Sequence, residues 1–304
     1  MVARLQTAEG QAALAAAAEA LERGDALAAA QALRAATVGG RPVGRTGPTD
    51  SAGPIDPDLA AAALTQATLR RRAIGKFGAD AGRLLYTRTG LEQATRSIVA
   101  DRRAARLADA GIRTVADLGC GIGADTLAFA RAGLTVRAVE ADPVTAGVGA
   151  ANVAACGLGH RATVTCADAT AVDLSGVDAV FCDPARREAS GRRIVDPAAF
   201  SPPWSFLTHL PARVPATVLK LAPGIDHALI PEGVEAEWVS VDGDVVEATL
   251  WHGPLAAVPR RATVITGTAV HSLTGSGTAT APVGGVRRYL YDPDGAVVRA
   301  HLVA

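Results

Sequence analysis

From residue 113 onward the chain alternates two hydrophobic rhythms. Short apolar runs read as strands: TVADLG (114–119), TVRAVE (135–140), ATVTCAD (162–168), DAVFCDP (178–184) and TVLKLAP (217–223). Longer amphipathic stretches separate them and predict helices to about 132, to about 156 and near 198–210. Strands alternating with helices predict a parallel sheet covered on both faces. In EAEWVSVDGDVVEATLWHG (235–253) two strand-like runs flank Asp242-Gly243-Asp244, a hairpin signal. The expected fold is α/β, a Rossmann-like doubly wound sheet that ends in an antiparallel hairpin.

The flanks follow other rhythms. Residues 8–36 hold good helix formers and few breakers, so 1–37 is expected to form N-terminal helices. Residues 38–57 are rich in Gly, Pro, Ser and Thr and predict a flexible linker. Residues 58–111 predict a helical segment, with Asp58 as a cap and Gly111 as a stop. The sheet domain is expected over 112–256. Residues 257–304 predict a small β-rich segment, with strands in 260–268 and 286–304 and a Gly/Thr/Ser loop over 272–285. The last apolar run lacks a closing turn, so this segment is expected to be incomplete.

Composition narrows the chemistry. Of 304 residues 49% are hydrophobic, enough for a sizeable core. Basic and acidic residues number 30 each, so net charge points to no partner. The distribution is uneven, however. Residues 59–113 carry 11 basic side chains against 4 acidic ones, whereas 114–304 carry 14 against 19. The middle segment, around Arg70, Arg71, Arg72 and Lys76, is thus a candidate surface for an anionic partner or simply a solvated helix face. Only Lys76 and Lys220 are lysines. Four cysteines without a CxxC pair and six scattered histidines argue against a metal site and a disulfide framework. With no signal peptide and no membrane-length apolar run, the expected location is cytoplasmic.

VADLGCGIGADTLAFARAG (115–133) carries the densest chemical signal. Asp117 ends a strand; Gly119, Gly121 and Gly123 follow at two-residue spacing, with Cys120 between, and a helix begins. Glycine permits positive φ and close ligand approach. Dinucleotide folds require G-x-G-x-x-G. Here the third glycine comes one residue early and an acid precedes the first, which suits a sulfonium or ammonium better than a pyrophosphate. The alternative is a tight turn without a ligand. Glu140 ends the next strand, where a carboxylate can accept ribose hydroxyls, and Asp168 ends the third, where it can bond an adenine amino group. Each could also be a strand-capping acid.

Asp117, Gly119, Gly121, Gly123, Glu140 and Asp168 resemble, in order and spacing, the cofactor motifs of class I S-adenosylmethionine-dependent methyltransferases. DLGCGIGADTLAFA and EADPVTAGVGAANVAACGL resemble the RNA-modifying branch, including trimethylguanosine synthase. Together with LRRRAIGKF, LLYTRTGLEQAT and YLYDPDGAVVRAHLV they resemble a bacterial methyltransferase family with a THUMP-like C-terminal domain. The resemblance implies S-adenosylmethionine as cofactor and Asp183-Pro184 as the substrate-contacting motif. Asp183 and the Pro184 carbonyl would then hold the acceptor nitrogen. That motif reads Asp-Pro-Ala-Arg here and lacks the aromatic of amino-methylating enzymes; Trp204, in FSPPWSF (200–206), is the candidate to supply it, or else a core aromatic. Tyr86-Thr87-Arg88 would cover the cofactor. No cysteine follows Cys182, which disfavours the covalent route to carbon methylation. Arg186, Arg187, Arg192 and Arg193 suit phosphate contact, or form a solvated loop. The expected function is methylation of a nucleobase nitrogen in RNA, without metal or membrane. The rivals are a small-molecule or protein methyltransferase, an inactive RNA-binding protein that retains the cofactor, and, disfavoured by the glycine spacing, a nicotinamide dehydrogenase.

Overall fold

The structure, a computed structural model, describes residues 1–24, 55–186, 200–285, 288–289 and 291–303, with Ala185 and Arg186 described by their backbone alone. The expected linker at 38–57 lies outside the described residues except at its last three positions, and so does the second half of the 8–36 helical stretch.

Helix α1 (Ala8–Arg23) packs on α2 (Pro57–Phe77). The cap of α2 is Asp56 rather than the expected Asp58: its Oδ1 accepts the N–H groups of Asp58 and Leu59, with Pro57 at the first helical position. The later part of the expected helical segment 58–111 holds two further helices, α3 (Arg88–Gln93) and α4 (Ser97–Asp109). Thr87 caps α3 through its hydroxyl, which accepts the Gly90 N–H. Gly111, at φ +81°, turns the chain out of α4 as expected.

Among the described residues eleven strands follow. The sheet core is β1 (Thr114–Leu118), β2 (Thr135–Glu140), β3 (Ala162–Cys166), β4 (Ala179–Cys182) and β7 (Ala216–Leu221), all parallel. Helices α5 (Ala124–Arg131), α6 (Pro143–Ala155) and α7 (Trp204–Arg213) make the crossovers. The hairpin β8 (Glu235–Val241) and β9 (Asp244–Trp251) turns at Asp242 and Gly243, both at positive φ. β9 inserts antiparallel between β7 and β8, giving the order β8-β9-β7-β4-β1-β2-β3. A separate pair, β5 (Ala185–Arg186) and β6 (Phe200–Ser201), lies between β4 and α7 in the chain.

The C-terminal strands extend the same sheet. β10 (Arg260–Thr266) pairs in parallel with β8, and β11 (Ala269–Gly275) forms the edge. The strand expected in 286–304 is instead a short helix, α8 (Gly295–Arg299), capped by Asp294 and packed on β8 and β10. The local signal misleads there because Asp294 accepts the Ala296 N–H and nucleates a turn inside an apolar run.

Two cores cover the two sheet faces. On β4, Ala179 and Phe181 join one cluster with Leu59, Leu107 and Phe129. Val180 and Cys182 join the other with Leu207, Leu210 and Trp238. That alternation is the period of two of a strand buried on both sides.

Charge knits α4 to the hairpin. Arg103, 2% exposed, bridges Asp125 and Glu247 and stacks over Phe181 at 4.6 Å. Arg106 clasps both oxygens of Glu235 at 2.7 and 2.8 Å and lies over Trp251 at 3.8 Å. Arg102 reaches Glu237 at 2.7 Å. Burial alone would raise Glu235, but Arg106, Arg261 and the Ala257 N–H outweigh it and bring it down to about 2. Part of the basic surplus of 59–113, Arg96, Arg102, Arg103 and Arg106, is therefore mated with acids of the hairpin. Arg103→Met should cost about 3–5 kcal/mol in urea unfolding, because two buried carboxylates lose their counter-ion. Arg23→Ala, which removes only an exposed pair with Glu19, should change stability by less than about 0.5 kcal/mol.

Candidate active site

From β1 the chain winds outward through β2 and β3, then returns to β4 on the other side of β1. Ligands of open α/β sheets bind at such a reversal, beyond the carboxyl ends of the strands. A cavity of about 1130 Å³ opens there. It is lined by Asp117, Gly119, Cys120 and Gly121 from β1 and its loop, Glu140 at the end of β2 and Asp142 after it, Asp168 after β3, Asp183 and Pro184 after β4, and Lys220 on β7. The structure thus brings together most of the residues that the sequence singles out.

The glycine loop is shaped for close approach. Gly119, at φ +83°, would place a Cβ 2.9 Å from the Asp183 carbonyl oxygen, so no side chain fits. Four of the loop's amide donors are already engaged. Gly119 and Cys120 donate to the Val139 carbonyl, Gly121 to Glu140 at 3.0 Å, and Gly123 to the Cys120 carbonyl. A pyrophosphate would need those amides; a cation would not. Acids dominate the walls, with Glu92, Asp117, Asp125, Glu140, Asp142, Asp168 and Asp183 against Lys220 as the one cation among the described lining residues.

Asp117 is fully buried beneath the loop. Thr126 donates its hydroxyl to Oδ2 at 2.5 Å, while Oδ1 is buried without a partner among the described residues. Burial, with the nearby Asp125 and Asp183 charges, pushes the Asp117 carboxyl up to about 8. An orphaned carboxylate oxygen under an acid-lined cavity fits a positively charged ligand group. Glu140 accepts the N–H of Gly121 through Oε2 and that of Asp142 through Oε1 at 2.9 Å, which holds the carboxylate rigid at the end of β2. Asp168 accepts from the Thr170 N–H and hydroxyl, both at 2.8 Å. Cys120 lines the cavity, and burial raises its thiol well above the ordinary range.

At the other end, Lys220 donates to Asp183 Oδ2 at 2.5 Å and to Thr95 Oγ1 at 3.0 Å. Thr95 in turn donates to Asp125 at 2.6 Å, and Asp125 is held by Arg103. Burial raises Asp183 even though Lys220 opposes the shift, and for Lys220 the surrounding acids outweigh burial and raise it. Sequence reasoning missed Lys220, Thr95 and Asp125 as site residues. A signal existed for the first: a lone lysine inside the apolar strand TVLKLAP of an arginine-rich chain.

Other expectations are redistributed. Trp204 is not among the residues lining the cavity; Phe200 is, and Trp204 packs edge-to-face behind it at 5.8 Å between ring centroids. The nearer aromatic sits on β6, a strand too short for the sequence pattern to reveal. Of Tyr86-Thr87-Arg88, only Thr87 lines the cavity, followed by Thr89, Gly90, Glu92 and Gln93. Tyr86 is buried against Phe77. The expected basic face of α2 points inward in part: Arg70 donates to the Leu84 carbonyl at 2.9 Å and Arg71 to the Leu21 carbonyl at 3.3 Å. Lys76 donates to the carbonyls of Leu91, Glu92 and Ala94, fastening the end of α3 beside the cavity; burial, with Lys220 and Arg96 nearby, lowers it to about 8. Cys182 is fully buried in β4, as the sequence suggests. Side chains of Arg186, Arg187, Arg192 and Arg193 lie outside the described residues.

No family model matches the chain. It is 38% identical over 250 residues to two curated Mycobacterium tuberculosis proteins, from strains CDC 1551 / Oshkosh and ATCC 25618 / H37Rv, each named an uncharacterized S-adenosylmethionine-dependent methyltransferase. The match takes in 77% of this chain and 66% of those relatives, so the chain spans just under two thirds of their length. A Porphyromonas gingivalis W83 crystal structure, described as a candidate methyltransferase, superposes with a TM-score of 0.65 at 22% identity, covering 81% of this chain and 66% of that one. With the strand order and the cavity at its reversal, these likenesses show that the chain has the Rossmann-like α/β fold of the S-adenosylmethionine-dependent methyltransferases.

Proposed function

We propose that the protein is an S-adenosylmethionine-dependent methyltransferase that modifies a nucleobase nitrogen in RNA. The observation that carries this reading is the direct contact between the two ends of the cavity. Gly119 of the donor loop lies against the carbonyl of Asp183, the head of the acceptor motif. Asp117, Glu140 and Asp168 would hold the cofactor's charged and hydroxylated parts. Bound S-adenosylmethionine supplies an electrophilic methyl group on a sulfonium.

The chain's own residues would orient the acceptor and take its proton. Asp183 accepts a hydrogen bond from the target N–H and aims the nitrogen lone pair, which is mainly a positioning role. Its raised carboxyl is also a better proton acceptor than an ordinary aspartate. Phe200 lines the same cavity and would be the aromatic available to the acceptor. Arg186 and Arg187 follow Pro184 after a single residue, Ala185, and would meet the RNA backbone; the THUMP-like resemblance of 257–304 extends the same reading. A small-molecule acceptor is the second reading. It is favoured by one observation, that several arginines of 59–113, among them Arg70, Arg102, Arg103 and Arg106, are engaged by groups of the protein itself.

Incubation with labelled cofactor and total bacterial RNA, beside RNase-treated extract, tests the proposal. Label in RNA supports it; label only in the treated extract favours the second reading. Asp183→Ala should lower transfer by about 10²-fold or more while leaving cofactor affinity unchanged. Lost affinity instead would remove Asp183 from the acceptor end.

A pH test addresses the donor end. In the free protein Asp117 remains protonated below about 8, whereas the unfolded value is 3.8. Folding stability should therefore fall as pH rises from 3.8 toward 8 and level off above. A cationic ligand against Oδ1 favours the ionised form. Binding at pH 7 should then release a proton, and binding at pH 9 should not. Calorimetry in two buffers of different ionisation enthalpy reads this directly, and Asp117→Asn should abolish it. A buffer-independent enthalpy at pH 7 would show that the ligand does not engage Asp117.

A further inference from the structure

Lys220 and Asp183 are neighbours by register. β4 pairs in parallel with β7, Cys182 opposite Leu219, so the next residues of the two strands sit side by side at the sheet edge. An ammonium has three donors. Two of Lys220's go to Asp183 and Thr95, and the third has no partner among the described residues. Asp183 Oδ1 likewise has none there, since Lys220 takes Oδ2. The pair therefore offers the cavity one N–H donor beside one carboxylate acceptor. Pro184, Phe200, Pro202 and Pro223 give the same cavity apolar lining. Thr95, Asp125 and Arg103 brace it from behind, so the ammonium is fixed in place.

The sign of that ammonium discriminates between acceptors. Methylating an exocyclic amine carries the donor's positive charge onto nitrogen, next to Lys220, which opposes it. A ring N–H beside a carbonyl behaves in the opposite way, because losing its proton places negative charge on the carbonyl oxygen. A fixed cation favours that charge as it develops.

We propose that Lys220 is a specificity-determining residue that selects acceptors with an N–H adjacent to a carbonyl, the lactam edge of guanine N1 or uracil N3, over the amino edges of adenine and cytosine. Lys220 donates to the carbonyl oxygen while Asp183 accepts the ring N–H. In the transfer, the ring N–H bond breaks and its proton goes to Asp183. The nitrogen's electron pair forms the new N–C bond, and the methyl–sulfur bond breaks with its pair left on sulfur. This inference rests on the methyltransferase reading above.

Binding and product identity test it separately. Protein saturated with S-adenosylhomocysteine is titrated with guanosine, uridine, adenosine and cytidine. Guanosine or uridine should bind about tenfold or more tightly than adenosine and cytidine, the discrimination expected of a paired donor and acceptor. Lys220→Met should erase that difference while S-adenosylhomocysteine affinity stays constant, and Lys220→Arg, which keeps a charged donor, should retain part of it. Equal binding of all four nucleosides by the wild-type protein overturns the proposal, as does unchanged selectivity in a folded Lys220→Met. Should Lys220→Met not fold, the wild-type selectivity and Lys220→Gln decide. Nucleoside analysis of total bacterial RNA after reaction should find 1-methylguanosine or 3-methyluridine. A methylated exocyclic amine overturns the role of Lys220 but leaves the RNA methyltransferase reading standing. Absence of any RNA methylation overturns that reading, and the nucleoside titration still decides Lys220.

Discussion

Too many carboxylates meet at one sheet edge, and much of the molecule is arranged around that fact. Asp117, Asp125, Asp183 and Glu247 crowd the region where β1, β4, β7 and β9 end or pass. Arg103 and Lys220 are the cations threaded between them. Two positive charges cannot balance four negative ones in a partly buried space, so one carboxyl, Asp117, is held neutral by burial and by its acidic neighbours. A site left short of positive charge is prepared for a cation. The acid-lined walls and the engaged loop amides are aspects of the same imbalance.

Pairing of the same kind accounts for part of the uneven charge along the chain. Segment totals suggest a basic face between 59 and 113 that awaits an anion. The folded protein instead turns Arg102, Arg103 and Arg106 onto Glu235, Glu237 and Glu247 of the hairpin, 129 or more positions away in the two pairings of Arg106 and Arg103 with Glu235 and Glu247. Charge blocks of opposite sign in one chain can be partners for each other, and only the tertiary fold distinguishes that case from an exposed patch.

The legible parts of the sequence were those with short-range rules. Period-two apolar runs placed β1 to β4 within a residue or two, Asp242-Gly243 marked the hairpin, and the glycine spacing located the cavity loop. Features that depend on which strands become neighbours were hidden. Lys220 meets Asp183 because β7 joins β4, a fact absent from either segment alone. Phe200 takes the cavity wall in place of Trp204 because a two-residue strand pairs with Ala185-Arg186, below the length at which periodicity speaks. Asp56 caps α2 in place of Asp58 because Pro57 supplies the first helical position, a preference that leaves both acids plausible on paper.

The packing of Gly119 against the backbone of residue 183 ties two halves of the site into a single fitting. A methyl group added at position 119 would press on the Asp183 carbonyl, just past the end of β4, and tilt Asp183 away from Lys220. Donor and acceptor pockets in this scaffold therefore cannot be redesigned one at a time. An engineer who wishes to enlarge the first must rebuild the second in the same step.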